Sequence, residues 1–153
     1  MGLMGRLAGV KARIFVVEDN PGDVTLLKMA LEDAEVDCEL TVMSDGGEAL
    51  AYARQLGTRD CLLAPDLVLL DLNLPKNDGI EILSVLRRNS SFVEVPVVIL
   101  TSSSSPRELA RIEGLQITRY LTKPLDFDEY LKIGLILKDL LAERTNRGTS
   151  TAT

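Results

Sequence analysis

The sequence predicts an α/β fold with a doubly wound parallel sheet, and two observations carry that expectation. Five short runs rich in Val, Ile and Leu recur along the chain, each followed by a segment of helical periodicity. Strands that alternate with helices build successive βαβ units and a parallel sheet. The central runs are nearly unbroken in apolar residues, as strands covered on both faces should be. At 153 residues the chain has the length of one domain that buries a real core.

The first strand is expected over Ile14–Val17, and Asn20-Pro21 then starts a helix, with a capping side chain ahead of a proline at the first helical position. The second strand is Cys38–Met43, and Asp45 with Glu48 has the spacing of a capping box for the helix after it. The third is Leu67–Leu70, followed by a second such pair in Asp78 and Glu81. Pro96 precedes the fourth strand, Val97–Leu100, at a position where a missing N–H does little harm. The fifth is Ile117–Leu121, and Asp126 with Glu129 marks the start of the last helix. The domain is expected over 13–143. Residues 1–12, basic and free of acids, read as a flexible arm or a remnant of expression, and 144–153 read as a disordered polar tail.

Composition removes several function classes. A net charge of -6 argues against a nucleic-acid footprint, which needs a basic face to neutralise phosphates. No apolar stretch has the length of a membrane span, and the N-terminus lacks both a secretory h-region and the Ser or Thr of a myristoylation site, since Arg6 stands there. Cys38 and Cys61 make neither a disulfide framework nor a zinc site and read as reduced thiols of a cytoplasmic protein. The chain has no histidine, which excludes most Ser-His and Cys-His nucleophiles and most His-ligated metals. Histidine chemistry would have to come from a partner.

In a doubly wound sheet, ligands bind outside the carboxyl ends of the strands. Glu18 and Asp19 follow the first strand, Asp71 the third, Thr101 and Ser102 the fourth, and Lys123-Pro124 the fifth. Each alone reads as a cap or a solvated loop residue. Together they would bring three acids, two hydroxyls and a lysine to one edge. Three close carboxylates either share protons or hold a cation. Oxygen-only donors suit a hard divalent ion, Mg²⁺ first, and a nearby lysine supplies a point charge for a transferred phosphoryl group.

The segments "VVEDNPGD" (16–23), "LVLLDLNLPKNDGIE" (67–81), "PVVILTSS" (96–103) and "YLTKP" (120–124) resemble the receiver domain of two-component response regulators. The resemblance covers about residues 13–143, and "DLNLPKNDG" is especially similar to stand-alone receivers such as those paired with bacterial phytochromes. It implies a flavodoxin-like (βα)5 fold with strand order 2-1-3-4-5. It also implies that Asp71 accepts a phosphoryl group from the phosphohistidine of a sensor histidine kinase. Asp19 and Asp71 would ligate Mg²⁺ directly, Glu18 through water, and Asn73 through its backbone carbonyl. Lys123 would pair with the phosphoryl group, Thr101 would move toward it, Ser102 would offer a backbone N–H, and Tyr120 would be the aromatic switch. Lys123-Pro124 matches a bond that is cis in this family, and Asn73 and Ser103 match positions that tune phosphoryl lifetime. Such a protein is a signalling switch that catalyses only its own phosphorylation and dephosphorylation.

The last helix is more apolar than one core face requires. Phe127, Tyr130, Leu131, Gly134, Leu137 and Leu141 form an inward stripe, and Ile133, Ile136 and Leu140 lie on its flank. That flank is either a wide part of the core or an exposed ridge. A receiver without an attached output domain must act through protein contacts, so the ridge is expected to form a homodimer or to meet an unknown downstream protein. Two other uses of such a sheet fit less well. A flavin site wants a Ser/Thr-rich phosphate loop where "EDNPGD" stands, and an aspartate-nucleophile phosphohydrolase wants a second acid where Asn73 stands. An interaction module without the switch keeps the fold but gives no reason for these site residues.

Overall fold

A computed structural model of the chain describes residues 11–55, 64–74, 79–89, 92–102 and 105–151. Its elements alternate throughout: β1 (Ala12–Val17), α1 (Pro21–Asp33), β2 (Cys38–Met43), α2 (Gly46–Gln55), β3 (Leu67–Leu70), α3 (Gly79–Arg88), β4 (Val97–Thr101), α4 (Pro106–Ile112), β5 (Arg119–Thr122) and α5 (Phe127–Thr151). The strands form one five-stranded sheet in the order β2-β1-β3-β4-β5, and every pair is parallel. The order reverses direction between β1 and β3, which opens a crevice at their carboxyl ends.

Period-two alternation along the central strands divides the core in two. Phe15, Val17, Val68, Leu70, Val97 and Ile99 point to one face and pack with Ala49 and Leu50 of α2, Ile82, Leu83 and Leu86 of α3, and Ile112 of α4. Ile14, Val16, Leu67, Leu69, Val98 and Leu100 point to the other and pack with Leu27, Ala30 and Leu31 of α1 and with Tyr130, Ile133, Leu137 and Leu140 of α5. Both faces of β3 and β4 are buried from end to end, and the one polar side chain in either strand is Thr101, the last residue of β4.

The expected starts of α1 and α2 are built as read. The Asn20 side chain accepts from the N–H groups of Gly22 (2.8 Å) and Asp23 (3.3 Å), and Asp45 accepts from Gly47 (2.7 Å) and Glu48 (3.3 Å). Asp78 lies outside the described residues, as do Cys61 and arm residues 1–10. β1 begins at Ala12, which pairs with Cys38, so sheet order reaches into the expected arm. β5 begins at Arg119 rather than Ile117. Thr118 precedes it, donating its N–H to the carbonyl of Val97 (2.8 Å) and accepting the Val97 N–H on its hydroxyl (3.2 Å), while Ile117 packs against the core.

The helix α5 continues to Thr151, past the expected domain end at residue 143. That stretch contains no proline, its one glycine costs only about 1 kcal/mol, and each added residue extends an existing hydrogen-bond ladder. One expectation about the helix is corrected, since the expected ridge is mostly core: Ile133 is 4% exposed and Leu140 8%, and only Ile136 keeps a partly open side chain. Phe127, expected inside, is 43% exposed. The cause lies at Gly134, where an added Cβ would collide with the carbonyl of Ala30 in α1. The missing side chain lets the helices close on each other and rolls α5 so that Tyr130, Ile133, Leu137 and Leu141 share the buried arc.

Gly134→Ala must therefore push α5 off α1. Overpacking of this kind costs about 1–3 kcal/mol, and urea unfolding should show at least that loss.

Candidate functional site

Each strand of the central group delivers its last residues to the same edge. Backbone pairing continues past β1 and β3, with the N–H of Glu18 donating to Met43 and that of Asp71 to Val17, both at 3.0 Å. The register brings together the residues that leave the sheet at Glu18, Asp19 and Asp71. One carboxylate oxygen from each of the three lies within 4.8 Å of the others. Glu18 and Asp71 are 6% and 5% exposed, whereas Asp19 is the most open of the three.

Gly79, the first residue of α3, makes the close packing beneath Asp71 possible. A Cβ there would lie 2.5 Å from the Asp71 carbonyl oxygen and 2.7 Å from the Leu72 Cα. Glycine lets α3 start directly against the end of β3, and any other residue would displace the backbone that carries Asp71.

Lys123 enters this acid edge from the end of β5, where its N–H donates to the Thr101 carbonyl (2.8 Å). Its ammonium meets Glu18 Oε1 at 2.6 Å, Asp23 Oδ2 at 2.7 Å and Asp71 Oδ2 at 3.0 Å. Burial alone would lower the lysine pKa, but hydrogen bonds to Asp23, Glu18 and Asp71 outweigh it and hold the ammonium charged well above its ordinary range. Glu18 goes the other way. Burial, with the Asp71 charge adding to it, raises its pKa to about 7 despite the bonds from Lys123 and the Asn20 N–H. One ammonium does not neutralise this many carboxylates, so the edge is short of positive charge.

That shortage is the test of fit for a metal. The donors are all oxygens, they are close enough to share an ion, and burial, with the Asp71 charge adding to it, drives one of them toward protonation. This is the environment a hard divalent cation relieves. Asp71 is also oriented: its Oδ1 accepts the Asn73 N–H at 2.9 Å while Oδ2 takes Lys123.

Thr101 is fully buried at the end of β4. Its hydroxyl accepts a hydrogen bond from the Asn73 side-chain amide at 3.0 Å, a link between the β3 and β4 loops that the sequence did not signal. Ser102 follows on the exposed side and Tyr120 is half-buried; burial, then the Glu108 charge, pushes the Tyr120 hydroxyl up. Ser103 lies outside the described residues. The Lys123-Pro124 bond is trans, since the described residues contain no cis peptide; this corrects the cis form the family resemblance implied, and a trans X–Pro bond is the favoured isomer by about 0.5–1 kcal/mol.

Asp23 is the site residue the sequence did not single out. It sits in the first turn of α1 and meets a lysine 100 positions away. On sequence alone an acid there reads as a helix-dipole partner.

Residues 14–133 match the family model for the response regulator receiver domain. The chain is 36% identical over 120 residues to the response regulator Rcp1 of Synechocystis sp., covering 78% of this chain and 82% of Rcp1. Among solved structures it is similar to the phosphorylated cyanobacterial phytochrome response regulator RcpA, with a TM-score of 0.76 and 35% identity over 86% of this chain and 94% of that one. It is also similar to the Mn²⁺-bound form of Rcp1, with a TM-score of 0.70 and 35% identity over 80% of this chain and 88% of that one.

Removing the ammonium should leave buried carboxylates uncompensated. Lys123→Met without metal is expected to lose about 3 kcal/mol of stability at neutral pH, read by urea unfolding in chelator.

Proposed function

We propose that this chain, which belongs to the response regulator receiver family, is a phosphorylation switch in which Asp71 accepts a phosphoryl group from the phosphohistidine of a sensor histidine kinase. The observation that carries the reading is the Asp71 carboxylate itself. It is buried at the open edge of the sheet, held on one oxygen by the Asn73 N–H and on the other by Lys123, and it shares its surroundings with Glu18 and Asp19. An aspartate in that setting is aimed and flanked by the groups that handle a phosphoryl charge.

In the proposed reaction a carboxylate oxygen of Asp71 attacks phosphorus in line with the leaving imidazole. The O–P bond forms as the P–N bond breaks, and the electron pair of that bond returns to the donor's imidazole nitrogen. Asp19 and Asp71, with Glu18 through water and the Asn73 carbonyl, would hold Mg²⁺, which would supply neutralisation of the phosphoryl oxygens. Lys123 pairs with one of those oxygens, and the backbone N–H of Ser102 serves another. Water later attacks the aspartyl phosphate, releasing inorganic phosphate and restoring the carboxylate. The chain thus catalyses only its own phosphorylation and dephosphorylation.

Signal output follows from Thr101. Its hydroxyl is tied to Asn73, and a phosphoryl group on Asp71 offers it a stronger acceptor. Thr101 then moves inward and Tyr120, half-buried beside α4, turns into the space vacated. Two features support a phytochrome-class kinase as the partner: the similarity to RcpA, described as a cyanobacterial phytochrome response regulator, and the likeness to a bacteriophytochrome response regulator at 33% identity and a TM-score of 0.66. A cytoplasmic setting follows from that partner's chemistry, and no helix among the described residues is long and apolar enough to cross a membrane.

Homodimer formation through the last helix cannot use Ile133 and Leu140, which are core residues. The apolar side chains that α5 and the loop before it leave in solvent are Leu125, Phe127 and Leu135, and these are the contacts we propose for a second copy.

Incubation with Mg²⁺ and acetyl phosphate should add one phosphoryl group to the wild type, read by intact mass, and none to Asp71→Asn; equal labelling of both would refute the assignment. Leu135→Asp should sediment as a monomer under phosphorylating conditions in which the wild type associates, and unchanged association would exclude this face.

A further inference from the structure

An ammonium has three N–H donors, and Lys123 has committed all of them to carboxylates, at Glu18, Asp23 and Asp71. These acceptors are not equivalent. Glu18 and Asp71 belong to the acid group that could hold a cation, whereas Asp23 lies outside that group. A divalent ion among Glu18, Asp19 and Asp71 repels the ammonium and claims two of its three acceptors. The remaining acceptor is Asp23.

Asp23 is built to stay in place. The Asn20 side chain fixes the turn it belongs to, accepting its N–H at 3.3 Å. Its carbonyl accepts the hydroxyl of Tyr130 at 3.4 Å, and Tyr130 is itself 2% exposed between α1 and α5. Its side chain keeps one-fifth of its surface open, and the 2.7 Å contact with Lys123 is a charge-assisted hydrogen bond.

We propose that Asp23 is a positioning residue that seats the Lys123 ammonium beside Asp71 when a divalent cation fills the acid group, leaving Lys123 directed at an incoming phosphoryl oxygen. The inference rests on the reading of Asp71, Lys123 and the metal given above. Without Asp23 the lysine has only Glu18 and Asp71 to hold, and it competes with the metal for both. Loss of the seat therefore weakens metal binding as well as phosphorylation, and it does so through Lys123.

A double-mutant cycle separates that route from a plain charge or folding effect. Mg²⁺ affinity is measured by calorimetry, and phosphorylation with acetyl phosphate by intact mass, in the wild type, Asp23→Asn, Lys123→Gln and the double variant. Asp23→Asn keeps an acceptor oxygen but removes its charge, and it should weaken Mg²⁺ binding and slow phosphorylation by about tenfold each, the loss of the charge-assisted part of that bond. In the Lys123→Gln background the same change should alter Mg²⁺ affinity by no more than about twofold, the screened effect of a single charge. Asp23→Glu keeps a carboxylate within reach of the ammonium and should restore both readouts; it also serves if the asparagine variant folds poorly. Equal losses in both backgrounds, or no loss in Asp23→Asn, would overturn the seat while leaving the switch intact. A wild type that neither binds Mg²⁺ nor accepts phosphoryl would overturn the underlying reading and the seat with it.

Discussion

Several carboxylates at the carboxyl edge of the sheet share one ammonium, and the rest of the molecule serves to make that arrangement tolerable. Burying acids costs several kcal/mol each unless they are paired. Here one ammonium serves three carboxylates, and burial still raises the Glu18 pKa to about 7. A site short of positive charge suits a cation. The same constraint explains why Lys123 arrives with every donor occupied. The geometry stores an unmet demand for positive charge that a metal can satisfy.

Rigidity comes from the two cores beneath. Alternate residues of β1, β3 and β4 lock into separate helical layers, so a strand cannot slip by one residue without turning its apolar set to the wrong side. Two glycines set how closely the helices approach. Gly79 allows α3 to begin against the carbonyl of Asp71, and Gly134 lets α5 close on Ala30 of α1. The first shapes the backbone at Asp71; the second fixes the roll of the helix whose Tyr130 reaches Asp23. Packing far from the edge thereby sets positions at the edge.

The site was largely legible in the chain because the chemistry sits immediately after the apolar runs. Glu18, Asp19 and Asp71 follow the buried apolar runs of β1 and β3, Thr101 ends that of β4, and Lys123 follows the edge strand β5. A parallel sheet then puts all strand ends on one side. Asp23 was not legible in this way. It belongs to a helix, and nothing local distinguishes an acid that favours a helix dipole from one that meets a lysine 100 residues on. The Asn73 contact with Thr101 is hidden for a related reason, since it joins loops that adjoin only after β3 and β4 have paired.

Sequence by itself determined the alternation of strands and helices, the capping of α1 and α2, and the identity of the residues that meet at the open edge, because hydrophobic period and capping chemistry are local properties. Only the tertiary structure decided which flank of α5 is buried. The helix carries apolar residues on both sides of its stripe, and the burial of Ile133 with Leu140 rather than Phe127 depends on where Gly134 lets α1 approach. It likewise decided that Lys123 divides its three donors among Glu18, Asp23 and Asp71. The direction of an ammonium is set by the sum of nearby charges in space, and no spacing along the chain records that sum.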